Sequence, residues 1–309
     1  MNKTFKDIRE FITYLEERND LVRVKQEVDP DLEINAILDS LARTNGPAVL
    51  FENVKGSTLP LLGNAFGNYR RLSNAFGTEN LDDILADYDA MITQYLDAEN
   101  KNIPRNFRAR GIKARLRALS DLPRIIKLAL NIRNLVSPIT PIEIPRKKAP
   151  CKEVILEGKD IDLDKFPLIK CWPQDGGYYI TLPLIITQDP EEGDFNVGIY
   201  RMMQIDKTRL CMHWLPQKHG SQHHAKAVAR NEDLPVAIAI GADPALEVAG
   251  VFQLLPPLDE FMAAGFLKKE PIELVRAENS DLLVPAGAEI ILEGVVKAHE
   301  PYVDEGPYG

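Results

Sequence analysis

Five polar residues stand where a plain β-rich core would not place them: Asn196, Arg201, His219, Glu260 and Glu305. Asn, His and Glu together offer an amide oxygen, an imidazole nitrogen and a carboxylate oxygen, a donor set suited to a hard or borderline divalent ion. Asn196 opens the segment N-V-G-I-Y-R and Arg201 closes it. Strand positions five apart face opposite ways, so a kink or bulge at Gly198 is expected if both serve one site. His219 follows an expected strand in Q-K-H-G, where loop residues often line a pocket. Glu260 lies near an expected helix start in P-P-L-D-E-F-M, and Glu305 lies in D-E-G-P-Y-G. Each has an ordinary alternative: Asn as a turn residue, His as a packing or capping group, Glu and Arg as solvated charges. Spacing by itself leaves both readings open. His213, His223, His224 and His299 form no H-x-x-x-H or H-E-x-x-H among themselves, and no G-x-G-x-x-G, Walker loop or G-x-S-x-G elbow is present.

The elements that must position these residues fall into two styles. Up to about residue 100, helical and strand patterns alternate, as in an α/β domain. Phe5, Ile8, Phe11, Ile12 and Leu15 repeat at helical spacing behind a Thr4/Asp7 capping box. Leu21 to Val24 reads as a strand, Asp29-Pro30 as the opening of a helix with Leu32, Ile34, Ile37, Leu38 and Leu41 on its apolar face, and Ala48 to Glu52 as a buried strand. Leu81 to Leu96 carries a further amphipathic pattern. Residues 101–140 are expected to form a basic helical connector, with ten Lys or Arg between Lys101 and Arg133 against Asp121. From residue 141 to 309 the pattern turns strand-rich, with strands expected at Glu153–Leu156, Tyr178–Thr187, Asn196–Ile205, Arg209–Leu215, Pro235–Ile240 and Glu289–Val296, and a short helix at Ala225–Arg230.

Composition narrows the classes. A net charge of −9 disfavours non-specific binding to a nucleic acid, and Phe107 alone offers stacking within the basic stretch, so no nucleic-acid partner is expected. No apolar run approaches the length of a membrane span, and no secretory leader pattern is seen. Cys151, Cys171 and Cys211 are odd in number and widely spaced, which reads as reduced thiols in a cytoplasmic protein.

Seven segments then fall in one order: G-P-A-V-L-F-E-N-V-K-G (Gly46–Gly56), N-V-G-I-Y-R (Asn196–Arg201), M-H-W-L-P-Q-K-H-G (Met212–Gly220), G-A-D-P-A-L (Gly241–Leu246), A-A-G-F-L (Ala263–Leu267), L-E-G (Leu292–Gly294) and E-G-P-Y-G (Glu305–Gly309). Together they closely resemble the UbiD decarboxylase family, which includes ferulic acid and polyprenyl-hydroxybenzoate decarboxylases. The resemblance runs from about residue 5 to the last residue. It implies an α+β fold, an α/β N-terminal domain (1–100) followed, after the connector, by a β-rich FMN-binding domain of split-barrel type (141–309). It implies reversible non-oxidative decarboxylation of an α,β-unsaturated or aromatic carboxylic acid with prenylated FMN, supplied by a flavin prenyltransferase, in a homo-oligomer.

By that resemblance Asn196, His219 and Glu260 match manganese ligands that also hold the cofactor phosphate. A potassium ion would sit on backbone carbonyls near Ala249, Gly250 and Phe252, with Glu260 assisting. The flavin would contact Ile199, Tyr200, Arg201, His213, Trp214, Leu215, Lys218 and His219. Arg201 and Glu305 match two of a catalytic Glu-Arg-Glu set, the cation suiting a substrate carboxylate and the charge that develops as CO2 leaves. The family motif continues E-G-P-x-G-(E/D), and its last acid is the proton donor. The sequence stops at Gly309, so a chain without the family's C-terminal domain, and with little turnover alone, is expected. The alternative is a non-catalytic flavin- and metal-binding subunit of a multi-subunit aromatic carboxylase.

Overall fold

The computed structural model describes residues 4–78, 80–84, 86, 89, 90, 93, 139–252, 254 and 259–308. The basic connector, apart from residues 139 and 140, lies outside the described residues, as does much of the expected 81–96 helix.

The N-terminal unit begins with α1 (Ile8–Glu17), whose first turn is closed by Asp7 accepting from the Glu10 N–H at 2.9 Å. Glu10 returns the bond to the Lys6 N–H, so the capping box sits three residues later than the Thr4/Asp7 reading. Strand β1 (Leu21–Val24), helix α2 (Glu33–Arg43), strands β2 (Ala48–Phe51) and β3 (Leu61–Gly63), and helix α3 (Tyr69–Ala75) follow. Strands β1 and β2 run parallel and β3 joins β2 antiparallel. Helix α2 opens at Glu33 rather than at Asp29. Leu32 takes a positive φ of 72°, and Asp29 caps from outside through its carbonyl and its bond with Glu33. Phe5, Phe11 and Leu15 fill one side of this sheet with Leu21, Ala48 and Leu50, while Ile34, Val49 and Phe51 fill the other.

The second part holds β4 (Ile142–Glu143), β5 (Tyr179–Ile180), β6 (Leu184–Gln188), β7 (Phe195–Ile199), β8 (Met202–Gln204) and β9 (Leu210–Met212). Helix α4 (His219–Ala229), β10 (Leu234–Ile240), α5 (Pro244–Ala249), α6 (Glu260–Lys268), β11 (Glu273–Arg276), β12 (Leu283–Pro285) and β13 (Ile290–Val296) complete it. An antiparallel sheet of order β13-β10-β6-β7 forms its centre, with two three-stranded sheets beside it, β12-β11-β4 and β5-β8-β9. No sheet among the described residues closes into a barrel. The fold is mixed α+β.

Strand β6 reads as an unbroken apolar run because the sheet is covered on both faces. Leu184 and Ile186 pack with Leu246, Ala249, Phe261 and Ala264 of α5 and α6, while Ile185 packs with Ala227 of α4. All three β6 residues are fully buried.

The expected strand at Glu153–Leu156 does not form. Those residues join no strand pair among the described residues, and Val154, Ile155 and Leu156 are exposed. The expected strand Asn196–Ile205 is two strands in different sheets, which breaks between Ile199 and Met202.

Candidate active site

That break replaces the expected kink. Gly198 lies in regular register opposite Ile185, so no bulge turns the chain there. Asn196 belongs to the central sheet, opposite Thr187, and Arg201 sits in the link to the β8–β9 hairpin. Glycine is needed at 198 because a Cβ would lie 2.7 Å from the Tyr200 ring folded beneath it. The hairpin register pairs Met202 with Met212 and Met203 with Cys211. One step further places Arg201 opposite His213, where the His213 N–H meets the Arg201 carbonyl at 3.4 Å. Directly opposed residues share a face of the hairpin, and both side chains reach one carboxylate.

That carboxylate is Glu305. Arg201 Nε donates to Oε1 at 2.8 Å and Nη2 donates to Oε2 at 2.9 Å, a two-pronged pair, and His213 Nδ1 lies 3.1 Å from Oε2. The Glu305 side chain is only 7% exposed, against 30% for Arg201 and 45% for His213. The Arg201 guanidinium holds the Glu305 carboxyl below the usual range despite its burial, and the acid raises the arginine in turn.

The tail bearing Glu305 is fixed by the residues after it. Gly306 takes a φ of 113°, open to glycine and strained for other residues. The Pro307 carbonyl accepts from the Gly176 N–H at 2.8 Å and from the Tyr179 hydroxyl at 3.3 Å. The Tyr308 ring lies 4.5 Å from the Arg201 guanidinium carbon and meets the Tyr179 ring edge-on at 4.7 Å. Burial pushes both phenols up to about 12.

Two of the other expected ligands, Glu260 and His219, stand at the starts of helices. Glu260 opens α6, capped by Asp259, and its Oε2 accepts from the Val197 N–H at 3.0 Å, directly beside Asn196. Burial pushes Glu260 up to about 7. His219 opens α4 rather than lying in a loop, and it is exposed. The buried Tyr200 hydroxyl sits near Asn196 and the Gly220 N–H, which links the strand to the helix start. Asn196 is 4% exposed, and its amide nitrogen makes no hydrogen bond among the described residues. Trp214 crosses the Tyr200 ring edge-on at 6.2 Å and packs beside Gly220, its indole nitrogen likewise unbonded. Tyr200 and Trp214 thus pack against each other in this part of the core. Ile199 donates to the Gly250 carbonyl at 3.3 Å, Lys218 precedes α4 and Leu215 is exposed. Among the described residues no three His, Cys, Asp or Glu side chains form a metal-binding group.

The sequence reading missed a buried network beside this site. His223 lies one turn beyond His219, so the two form H-x-x-x-H on α4, a spacing visible in the sequence once His219 is counted. His223 Nδ1 bonds the Thr187 hydroxyl at 2.9 Å, and its Nε2 lies 3.8 Å from Asp189 Oδ2. Burial opposes ionisation of Asp189. The Lys226 ammonium and the Glu191 and Glu192 N–H groups outweigh it and bring the carboxyl down to about 2. A depressed carboxylate stabilises the fold above its unfolded pKa and ceases to do so as pH falls through the folded one. Asp189→Asn is therefore expected to cost about 1–2 kcal/mol at pH 7. Urea denaturation should find that difference shrinking as pH falls from 4 towards 2.

Two family descriptions match the chain. The 3-octaprenyl-4-hydroxybenzoate carboxy-lyase N-terminal domain matches residues 12–88, and the Rift-related domain of the same enzymes matches residues 143–309. The chain belongs to the UbiD family. An uncharacterized protein of Archaeoglobus fulgidus is 40% identical over 99% of the chain, and one of Aquifex aeolicus is 39% identical over all of it. Among solved structures, the closed form of Sedimentibacter hydroxybenzoicus vanillic acid decarboxylase is 31% identical over 99% of the chain, with a TM-score of 0.78. The UbiD-class enzyme HmfF of Pelotomaculum thermopropionicum, in an evolved dimeric form in complex with prFMN, is 28% identical over 99% of the chain, with a TM-score of 0.75. The chain spans 57–60% of the length of these relatives. No helix among the described residues is long and apolar enough to cross a membrane.

Proposed function

We propose that this UbiD chain contributes the flavin-binding and carboxylate-handling part of a carboxy-lyase that reversibly removes CO2 from an α,β-unsaturated or aromatic carboxylic acid. The observation that carries it is the Arg201–Glu305 pair, a buried acid gripped by a half-open guanidinium. Prenylated FMN, when bound, supplies the sink for the electron pair left behind as CO2 departs. Arg201 commits Nε and Nη2 to Glu305, which leaves Nη1 clear of that acid and able to take a substrate carboxylate. As the guanidinium is shared with the substrate, Glu305 loses part of the stabilisation of its ionised form and becomes able to hold a proton. A Glu305 oxygen then orients the guanidinium and can take up and pass on a proton, a relay role and not that of the final donor.

The residues present suit the cofactor's ions. An Asn196 side chain that turns over offers its carbonyl oxygen where the unbonded amide nitrogen lies, and a cation there would offset the penalty that burial places on Glu260. With His219 they would hold manganese and, through it, the cofactor phosphate. Among the described residues the Ala249 and Gly250 carbonyls each accept one backbone bond, and a second lone pair on each could serve potassium near Phe252. The same reading includes the division at residues 100 and 140, a flavin prenyltransferase as supplier, a homo-oligomer and a cytoplasmic setting.

Co-expression with a flavin prenyltransferase is the test. The purified protein is expected to show flavin-type absorbance and about one equivalent of manganese, and Asn196→Ala to lose both. A colourless, metal-free wild type would sink the proposal.

A further inference from the structure

Strand β6 is apolar and fully buried at Leu184, Ile185 and Ile186, yet the next residue inward is Thr187, buried as completely. A buried hydroxyl costs free energy unless it is bonded, and Thr187 meets His223 Nδ1 at 2.9 Å. His223 is buried too. An apolar pair of the same shape would fill this space at little cost in stability, so stability alone does not account for the polar one.

The place of the pair supplies another reason. Ile185 packs with Ala227 of α4, and Thr187, two residues on, faces the same helix. Asn196 stands directly opposite Thr187 on β7, so its side chain shares that face. On the helix, His219, His223 and Ala227 recur at four-residue steps and form one stripe. The Ala227 turn rests on Ile185 and the His223 turn on Thr187. The turn before them begins at His219, and there the Tyr200 hydroxyl sits near both Asn196 and the Gly220 N–H. The Thr187–His223 bond is therefore the nearest fixed link between sheet and helix beside Asn196 and His219.

We infer that Thr187 and His223 are positioning residues of the cation site, setting the separation of α4 from the central sheet at which Asn196 and His219 share one metal ion. The inference rests on the metal reading under the proposed function and extends it to two residues outside the ligand set. Length is the physical lever. The hydrogen bond holds its atoms at 2.9 Å, whereas apolar atoms rest about 3.5–4.0 Å apart. Metal–ligand distances tolerate only about 0.2 Å. Without the bond, the helix stands off by more than coordination allows. Asp189 Oδ2, 3.8 Å from Nε2, orients the ring by favouring the hydrogen on that nitrogen, which leaves Nδ1 to accept from the Thr187 hydroxyl.

The test reads manganese binding and needs no turnover. The chain is co-expressed with a flavin prenyltransferase and stripped of metal. Manganese(II) is then titrated in under electron paramagnetic resonance, with the melting temperature measured alongside. Thr187→Val is expected to weaken manganese binding about 10–100-fold, while Thr187→Ser, which keeps the hydroxyl, stays within about threefold of wild type. The double variant Thr187→Val/His223→Leu leaves neither partner unsatisfied, so it should melt close to wild type and still show the weakened binding. It carries the test if the single valine variant does not fold. Manganese affinity of the double variant within about twofold of wild type would overturn the inference. So would a loss in Thr187→Ser as large as that in Thr187→Val, or a double variant that melts far below wild type, the mark of a structural bond alone. A wild type that takes up no manganese would overturn the metal reading itself, and this role with it.

Discussion

Arg201→Ala is expected to reduce kcat/KM by at least about 10²–10³-fold, the scale seen when a preorganised charge is removed from a developing anion. The geometry also predicts a structural cost. Glu305 would stay buried without its partner, and its carboxyl would climb from below the usual range to above it. A fully buried pair broken in this way costs about 3–5 kcal/mol, and the part-exposure of Arg201 brings the expectation to about 1–3 kcal/mol. The pH dependence has a definite sign. A depressed Glu305 stabilises the fold above the ordinary carboxylate pKa and stops doing so as pH falls through its folded value, so the variant should lack that share of acid sensitivity. Arg201→Lys is the informative companion. It keeps the charge and should recover much of the stability, but without the planar fork it should recover little turnover. Activity of Arg201→Ala within tenfold of wild type would show that this pair is not the working centre.

Gly176→Ala is expected to be the most damaging conservative change away from the reacting groups. A Cβ there would lie 2.3 Å from the Gly306 carbonyl oxygen and 2.6 Å from its carbon, both backbone atoms that cannot swing aside. The Gly176 N–H also holds the Pro307 carbonyl at 2.8 Å, so the two segments cannot separate without losing that bond. Overpacking of this kind costs about 1–3 kcal/mol. Here it should fall on the tail, raising hydrogen exchange across residues 303–308 and weakening the near-ultraviolet signal of the Tyr179–Tyr308 pair. Gly294→Ala is the control, since a Cβ there meets nothing within 4 Å. Equal exchange in the two variants would mean that the Gly176 contact does not hold the tail.

Much of the framework was legible because its causes are local. The strands at residues 21–24, 234–240 and 290–296 follow apolar runs, and Glu260 opens a helix where Asp259 caps it. The Glu153–Leu156 segment misled because its residues suit a strand that needs a partner, and partners are a tertiary matter. The Asn196–Arg201 problem misled for a related reason. A continuous apolar stretch says nothing about which sheet each half joins, so a change of sheet looked like a bulge. His213 came to notice only as a flavin contact, since its bond to Glu305 joins residues 92 apart in sequence through hairpin register. The His219–His223 spacing was readable and went unused.

Tyr308 has a further consequence. Besides covering Arg201 it packs against a hydrophobic cluster made of Val28, Ile34, Val49, Phe51 and Val54 from the N-terminal unit and Ile169 and Cys171 from the second part. The alignment of Glu305 and Arg201 is therefore mechanically continuous with the folding of the first sixty residues. A cavity cut at Ile34 should travel through Tyr308 to the guanidinium and register as a kinetic defect, without any change in the residues that meet the substrate. In this chain the N-terminal unit serves as the anvil on which the tail bearing Glu305 is seated.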